Sequence, residues 1–164
     1  MTPIVAVAGF VFDAEGRVLL IERGKEPNLG LWSVPGGRLE GQETLAQGVA
    51  REIREETGLV VEVGPLACVV ERMGDDFHFV ILDYLARVIG GTLGTAPKME
   101  GGGFTPTPGG DARAAKFVDD AELATLPLTD GLIDVLARAR ATYATWSGSR
   151  AQPSHSPRSS RSSH

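Results

Sequence analysis

Glu52, Glu55 and Glu56 are the residues whose type and spacing could do chemistry in this sequence. On an α-helix, positions separated by three and four share a face, so the three carboxylates converge on one patch. Like charges so close repel, and a purely structural helix gains nothing by gathering them. A hard divalent cation such as Mg²⁺ reverses that sign. It prefers carboxylate oxygens and keeps several waters, leaving positions for phosphate oxygens. Arg51, beside them in sequence, can reach the neighbouring carboxylates and hold them in position.

The element that must present these acids is a helix over residues 44–57, where Leu45, Val49 and Ile53 recur at intervals of four and Gly58 supplies the left-handed residue that ends it. At roughly 100° per residue the acids border the apolar stripe and do not point directly away from the core. Gly48 shares their sector and costs about 1 kcal/mol of helix stability relative to alanine. Room for a bulky ligand would explain it.

Around this helix, residues 3–12 and 17–22 read as a hairpin about the Asp13-Ala14-Glu15-Gly16 turn. Residues 24–37 are punctuated by Gly24, Pro27, Gly30, Pro35, Gly36 and Gly37, leaving room for only a short strand at 32–34. Two long strands, 60–73 and 77–89, flank Gly74-Asp75-Asp76, with a bend at Gly64-Pro65. Residues 90–112 hold eight glycines and three prolines and show no periodicity. A short strand at 116–118 and an amphipathic helix at 130–146 complete the pattern. Eight serines and no large apolar side chain after Trp146 describe a disordered tail, 147–164.

Composition excludes several classes. The chain has 164 residues with 42% hydrophobic content, enough for one domain core. Lys and Arg number 16 against 21 Asp and Glu, a net charge of -5. Without the tail's Arg150, Arg158 and Arg161 the balance is 13 against 21, or -8, which repels a nucleic-acid backbone. Cys68 stands alone, so an intrachain disulfide and a cysteine-rich zinc site are excluded and a reducing compartment is expected. The apolar opening, 4–12, is too short to cross a bilayer. A soluble, cytoplasmic protein with no membrane or nucleic-acid partner is the resulting expectation.

The segment 37–59 resembles the Nudix box: Gly37, Glu43, Arg51, Glu52, Ile53, Glu55, Glu56, Gly58 and Leu59 fill every fixed place, and residues 30–36 resemble its usual lead-in. The resemblance implies an α/β fold, an α/β/α sandwich around a mixed β-sheet, forming a domain over 1–146. It implies that Glu52, Glu55 and Glu56 bind catalytic Mg²⁺ or Mn²⁺, with the Gly36 carbonyl and Glu43 as further ligands and Arg51 orienting the glutamates. The implied reaction is hydrolysis of a nucleoside diphosphate linked to another group, the cation lowering the pKa of the attacking water. In some members the residue matching Glu52 takes the water's proton. Others use an acid from a distant loop, for which Glu100 and Asp111 stand here. ADP-ribose or a related nucleotide sugar is the leading substrate, although Gly74 and Asp75 stand where the ADP-ribose subgroup carries a proline. A MutT-like enzyme acting on damaged nucleoside triphosphates and a non-catalytic nucleotide sensor are the alternatives. Many ADP-ribose hydrolases are dimers, so a homodimer is possible.

Other residues carry weaker signals. Arg23 and Lys25 end the second strand and are candidate phosphate contacts, while Phe77, His78 and Phe79 alternate past the hairpin turn, where one or two could edge a base pocket. Trp32 and Cys68 read as core residues.

Overall fold

The computed structural model describes residues 1–94 and 112–149. In chain order the elements are β1 (Ile4–Val11), β2 (Val18–Arg23), β3 (Trp32–Ser33), β4 (Gly36–Arg38), α1 (Leu45–Thr57), β5 (Leu59–Met73), β6 (His78–Gly91), β7 (Ala112–Val118), α2 (Asp120–Leu123) and α3 (Leu132–Ser149). They form a four-stranded sheet, β4-β1-β6-β5, and a three-stranded sheet, β3-β2-β7. The first is mixed, since β1 runs parallel to β6 while β4 and β5 run antiparallel to their neighbours. A mixed sheet flanked by helices is the architecture expected from the sequence.

Alternation along β1 divides the core. Val7 and Val11 join Val49 and Ile53 of α1 in one cluster, while Ala8 and Phe10 join Leu132, Leu136 and Ala139 of α3 in the other. The strand is thus buried on both faces, which explains its nearly continuous apolar run.

Residues 3–12 and 17–22 are strands but not partners. They meet at a single bridge, Phe12 to Val18, and then enter different sheets. Both edges of β1 are already taken, by β4 and β6. The Asp13 carboxylate tightens the turn by accepting from the Glu15 and Arg17 amides at 3.0 and 2.8 Å, and only the bridge forms. Strand β4 lies where a glycine loop was expected, and β7 begins at Ala112, not Lys116. Glycine and alanine have low strand propensity, so in both places the partner strand decides the conformation. Helix α3 continues to Ser149, beyond the expected end at Trp146, while residues 150–164 and most of the 90–112 segment lie outside the described residues. No helix among the described residues is long and apolar enough to cross a membrane.

The helix over 45–57 matches its sequence signals. Thr44 accepts from the Gln47 amide at 3.1 Å while Gln47 accepts from the Thr44 amide at 2.9 Å, and Gly58 ends the helix at φ 79°. The β5–β6 pair runs the length of both strands but shifts register at three places, Val60/Val61, Val63/Leu66 and Leu66/Cys68, the second at the Gly64-Pro65 bend.

One polar residue breaks the apolar interior of β6. Asp83, 4% exposed, pairs across the sheet with Ala8 and Cys68, and it accepts a hydrogen bond from the Cys68 thiol at 3.6 Å. Burial pushes its carboxyl up to about 6, although the thiol and the charges of Arg138 and Arg72 act the other way. Burial and the neighbouring carboxylate push the thiol up to about 11. The folded state therefore keeps a proton that the unfolded chain releases near pH 4. Stability from this group is complete below that pH and is lost as pH rises through about 6. Asp83→Asn keeps the shape and removes the titration. In urea melts it should stabilise the fold by about 2 kcal/mol at pH 7.5 and change little at pH 4. A gain of equal size at both pH values would contradict this account.

Candidate active site

Helix α1 lies across glycines that let it approach the sheet. An added Cβ at Gly9 would stand 2.6 Å from Ile53 Cδ1, so the helix core meets β1 backbone at this point. One strand away, β4 pairs with β1 through Gly36 to Ala8, Gly37 to Val7 and Arg38 to Ala6. A Cβ at Gly37 would stand 2.5 Å from Glu52 Oε1, so the Glu52 carboxylate rests directly on this glycine. The Gly36 amide donates to Glu56 Oε1 at 2.8 Å. Glu52 and Glu56 are each 4% exposed, unusual for acids and consistent with their place beside the apolar stripe.

Arg51 organises the remaining carboxylates. Its guanidinium donates to both oxygens of Glu43, at 2.9 and 2.7 Å, to Glu52 Oε1 at 2.9 Å and to Glu55 Oε2 at 3.2 Å. It also reaches the Arg38 carbonyl at 3.2 Å and pairs with Glu40 at 3.4 Å. The bidentate Arg51 contact holds the Glu43 carboxyl below its ordinary range, and the Arg51 guanidinium is itself held more firmly protonated.

One guanidinium cannot neutralise this set. Burial raises the Glu52 carboxyl despite the Arg51 contact, and Glu55 adds to the rise. Burial first, then the charge of Glu52, pushes Glu56 well above the usual carboxylate range, against the Gly36 hydrogen bond and the charge of Arg23. Glu52 Oε2 is enclosed, and among the described residues no hydrogen-bond donor reaches it. Glu56 could satisfy it only by carrying a proton. A hard divalent cation removes the same penalty without protonation, and the donors offered, carboxylate oxygens with no sulfur or imidazole, are those it prefers. The residues therefore fit such an ion in chemistry. They are not a finished cage, because among the described residues no three acidic, histidine or cysteine groups are drawn together tightly enough to hold one. Arg51 accounts for this, holding Glu55 and Glu43 to itself while Glu52 and Glu56 face the glycine floor.

The other sequence candidates separate. Arg23 lies close enough for its charge to act on Glu56, with its Nε donating to the Pro27 carbonyl at 2.9 Å, whereas Lys25 is exposed on the following loop. Phe77 packs against Phe79, ring centres 5.9 Å apart, and beneath Gly74 at the tip of the β5–β6 hairpin, so its described contacts include none of the glutamates. His78 hydrogen-bonds Glu71 at 2.8 Å. Trp32 is buried, with Lys116 4.7 Å above its ring, and Cys68 is buried as expected. Gly48 is explained by packing, since a Cβ there would stand 2.9 Å from Leu39 Cδ1 and 3.1 Å from Val7 Cγ2; no ligand is needed to account for it. Glu100 and Asp111 lie outside the described residues.

Sequence reasoning missed Asp83 and Arg113. A lone acid inside the apolar run 79–85 was a readable signal for the first. Arg113, which pairs with Glu22 at 2.9 Å and lies 3.9 Å from where a Cβ on Gly30 would stand, had none, because its strand was expected to begin only at Lys116.

A two-sheet α/β sandwich with an acid-bearing helix laid over a glycine strand is the class these features define. Residues 2–138 match the NUDIX domain family, and the chain belongs to that family. It is 35% identical over 119 residues to an ADP-ribose pyrophosphatase of Methanocaldococcus jannaschii, covering 71% of this chain and 62% of that protein. It is 38% identical over 92 residues to the 8-oxo-dGDP phosphatase NUDT18 of Mus musculus, covering 56% of this chain and 27% of the relative. A crystal structure of a MutT NUDIX hydrolase from Burkholderia pseudomallei superposes with a TM-score of 0.67 at 29% identity, covering 84% of this chain and 98% of that one. The chain thus spans less than two thirds of each of the two sequence relatives.

Arg51→Ala would leave Glu43, Glu52 and Glu55 without their shared counter-charge. Without divalent ions the variant should lose about 2 kcal/mol, less than a fully buried pair would because Arg51 is partly exposed. Millimolar Mg²⁺ should raise its melting temperature more than it raises that of the unaltered protein. Equal shifts in both proteins would show that Arg51 and the cation do not serve the same charges.

Proposed function

We propose that this chain hydrolyses the diphosphate linkage of a nucleoside diphosphate derivative, ADP-ribose or a related nucleotide sugar, as a metal-dependent cytoplasmic enzyme whose catalytic unit is residues 1–146. The observation that carries the reading is the buried Glu52–Glu56 pair on the Gly36–Gly37 floor, with an enclosed carboxylate oxygen and too little positive charge around it. Glu52, Glu55 and Glu56 would hold Mg²⁺ or Mn²⁺, with the Gly36 carbonyl and Glu43 as further ligands. When bound, the cation lowers the pKa of water and offsets charge on the phosphoryl oxygens.

The chain's own residues do the rest. Arg51 keeps Glu52 and Glu55 in fixed rotamers, so little reorganisation is needed as charge develops. Glu52 accepts the proton of the attacking water, whose oxygen bonds to phosphorus as the bridging P–O bond breaks. Arg23, whose charge acts on Glu56, would contact a phosphoryl oxygen. For ADP-ribose the products are AMP and ribose phosphate.

The ADP-ribose assignment draws its support from the Methanocaldococcus relative, whose match is the longer of the two. The resemblance to an 8-oxo-dGDP phosphatase favours a second reading, hydrolysis of damaged nucleotides in the MutT manner. A sensor that binds without turnover would have no need of the complete glutamate set found here.

Glu52→Gln, Glu55→Gln and Glu56→Gln should each lower kcat by at least about 100-fold, a barrier increase of about 3 kcal/mol. Unchanged rates in all three would remove the assignment. A panel of ADP-ribose, nucleotide sugars, canonical triphosphates and 8-oxo-dGTP, compared by kcat/KM, separates the readings. AMP with ribose phosphate supports the first, a monophosphate with pyrophosphate the second, and ADP-ribose binding without products the sensor.

A further inference from the structure

Thr57 is the last residue of α1, and its side chain is fully buried. Among the described residues the other buried polar or charged side chains are Glu52, Glu56 and Asp83, so three of the four lie within the final six residues of one helix. A buried hydroxyl needs partners, and this one has two. It donates to the Ile53 carbonyl at 2.6 Å and accepts from the Leu59 amide at 3.2 Å. One side chain thus fastens the last turn of the helix to the first residue of β5, across the left-handed Gly58.

The backbone around the hydroxyl is held from outside as well. The Thr57 carbonyl accepts from the Gly94 amide at 2.9 Å, and an added Cβ at Gly91 would stand 2.3 Å from the Gly58 carbonyl oxygen. Helices ordinarily lack such support here, because the last carbonyls have no partner within the helix and final turns fray. Glu55 and Glu56 sit in that turn, and Glu52 adjoins Ile53, whose carbonyl takes the hydroxyl proton. Arg51 restrains the carboxylates of Glu52 and Glu55, whereas Glu56 is held at its tip by the Gly36 amide and at its backbone through Thr57. A set of ligands serves an ion well only when held to within about 0.5 Å.

We infer that the Thr57 hydroxyl is a positioning group for the glutamate site: it keeps the end of α1 helical, so that Glu56 stands one turn from Glu52 and both serve the same ion. The inference rests on reading Glu52, Glu55 and Glu56 as holders of a divalent cation. Thr57 acts through the backbone of Glu56, without contact to ion or substrate.

Calorimetric titration of Mn²⁺ into the metal-free full chain, without substrate, separates positioning from packing. Thr57→Val keeps the branched shape and removes the hydroxyl, while Thr57→Ser keeps the hydroxyl and removes the methyl group. The Kd for Mn²⁺ should rise at least about tenfold in the valine variant and change less than about threefold in the serine variant. Hydrogen exchange of the metal-free chain should be faster at residues 56–59 in the valine variant and unchanged in α3. If Thr57→Val folds poorly, Thr57→Ala, which also lacks the hydroxyl and favours a helix, should weaken Mn²⁺ binding in the same way. A valine variant that binds Mn²⁺ as well as the serine variant, or better, overturns the inference and leaves Thr57 a packing residue. So does a Kd raised equally by Leu136→Ala in the other core cluster, since lost stability alone would then be the cause. An unaltered chain that binds no Mn²⁺ overturns the reading of the glutamates, and the inference with it.

Discussion

Arg51 faces Glu40, Glu43, Glu52 and Glu55, and a fifth acid, Glu56, is buried beside them. That surplus of negative charge in a poorly solvated place is the constraint on which the rest of the structure depends. Water cannot solvate the inner pair, and each unit of raised carboxylate pKa represents about 1.4 kcal/mol of disfavoured charge. The fold tolerates the arrangement because most of these carboxylates have a compensator. Glu43 and Glu55 have the guanidinium, and Glu56 has the Gly36 amide. Glu52 has one oxygen compensated by Arg51 and one that no donor among the described residues reaches. Binding a hard dication there would convert this stored repulsion into affinity, so the cost of building the site would become the driving force for loading it.

The glycines turn that charge arrangement into a geometry. Val49 and Ile53 seat α1 on Gly9, and this close seating brings Glu52 down onto Gly37 and Glu56 within reach of Gly36. An alanine at Gly37 would place a methyl group where a carboxylate oxygen now lies. At Gly36 the added carbon would meet the Val7 carbonyl oxygen at 2.5 Å, a backbone contact that cannot move aside cheaply. Site and core are therefore one packing problem: the residues that bury the helix set the height of the acids above the strand.

The helix was legible because its signals are local. Periodicity and Gly58 lie within one segment, and so does the spacing of the glutamates. The long β5–β6 pair was legible for the same reason. What escaped was decided by partners distant in sequence. Nothing within Gly36–Arg38 marks a strand, yet β1 makes it one, and the alanines of β7 extend because β2 lies beside them. The apparent hairpin at the start failed for the opposite reason, since a good local turn yielded to strands that held both edges of β1. Gly48 carried a readable cost but the wrong explanation, for a packing contact with Leu39 and Val7 cannot be told from a ligand's space by residue type alone.

Strand β4 also shows why reaction class is easier to read than substrate. Gly37 turns its bare α-carbon toward Glu52, whereas Arg38, the next residue, lies on the opposite side by strand alternation, its guanidinium 5.6 Å from the centre of the Phe79 ring. Three residues thus separate two kinds of surface. On one, phosphorus chemistry demands acids at fixed helical intervals, and that demand leaves a pattern in the sequence. On the other, Arg38 of β4 meets Phe79 of β6 across β1, a contact between residues with no common spacing. A contact assembled from several strands can change one residue at a time without disturbing the acids, so a fixed spacing in the sequence speaks for a class of reaction and not for a substrate.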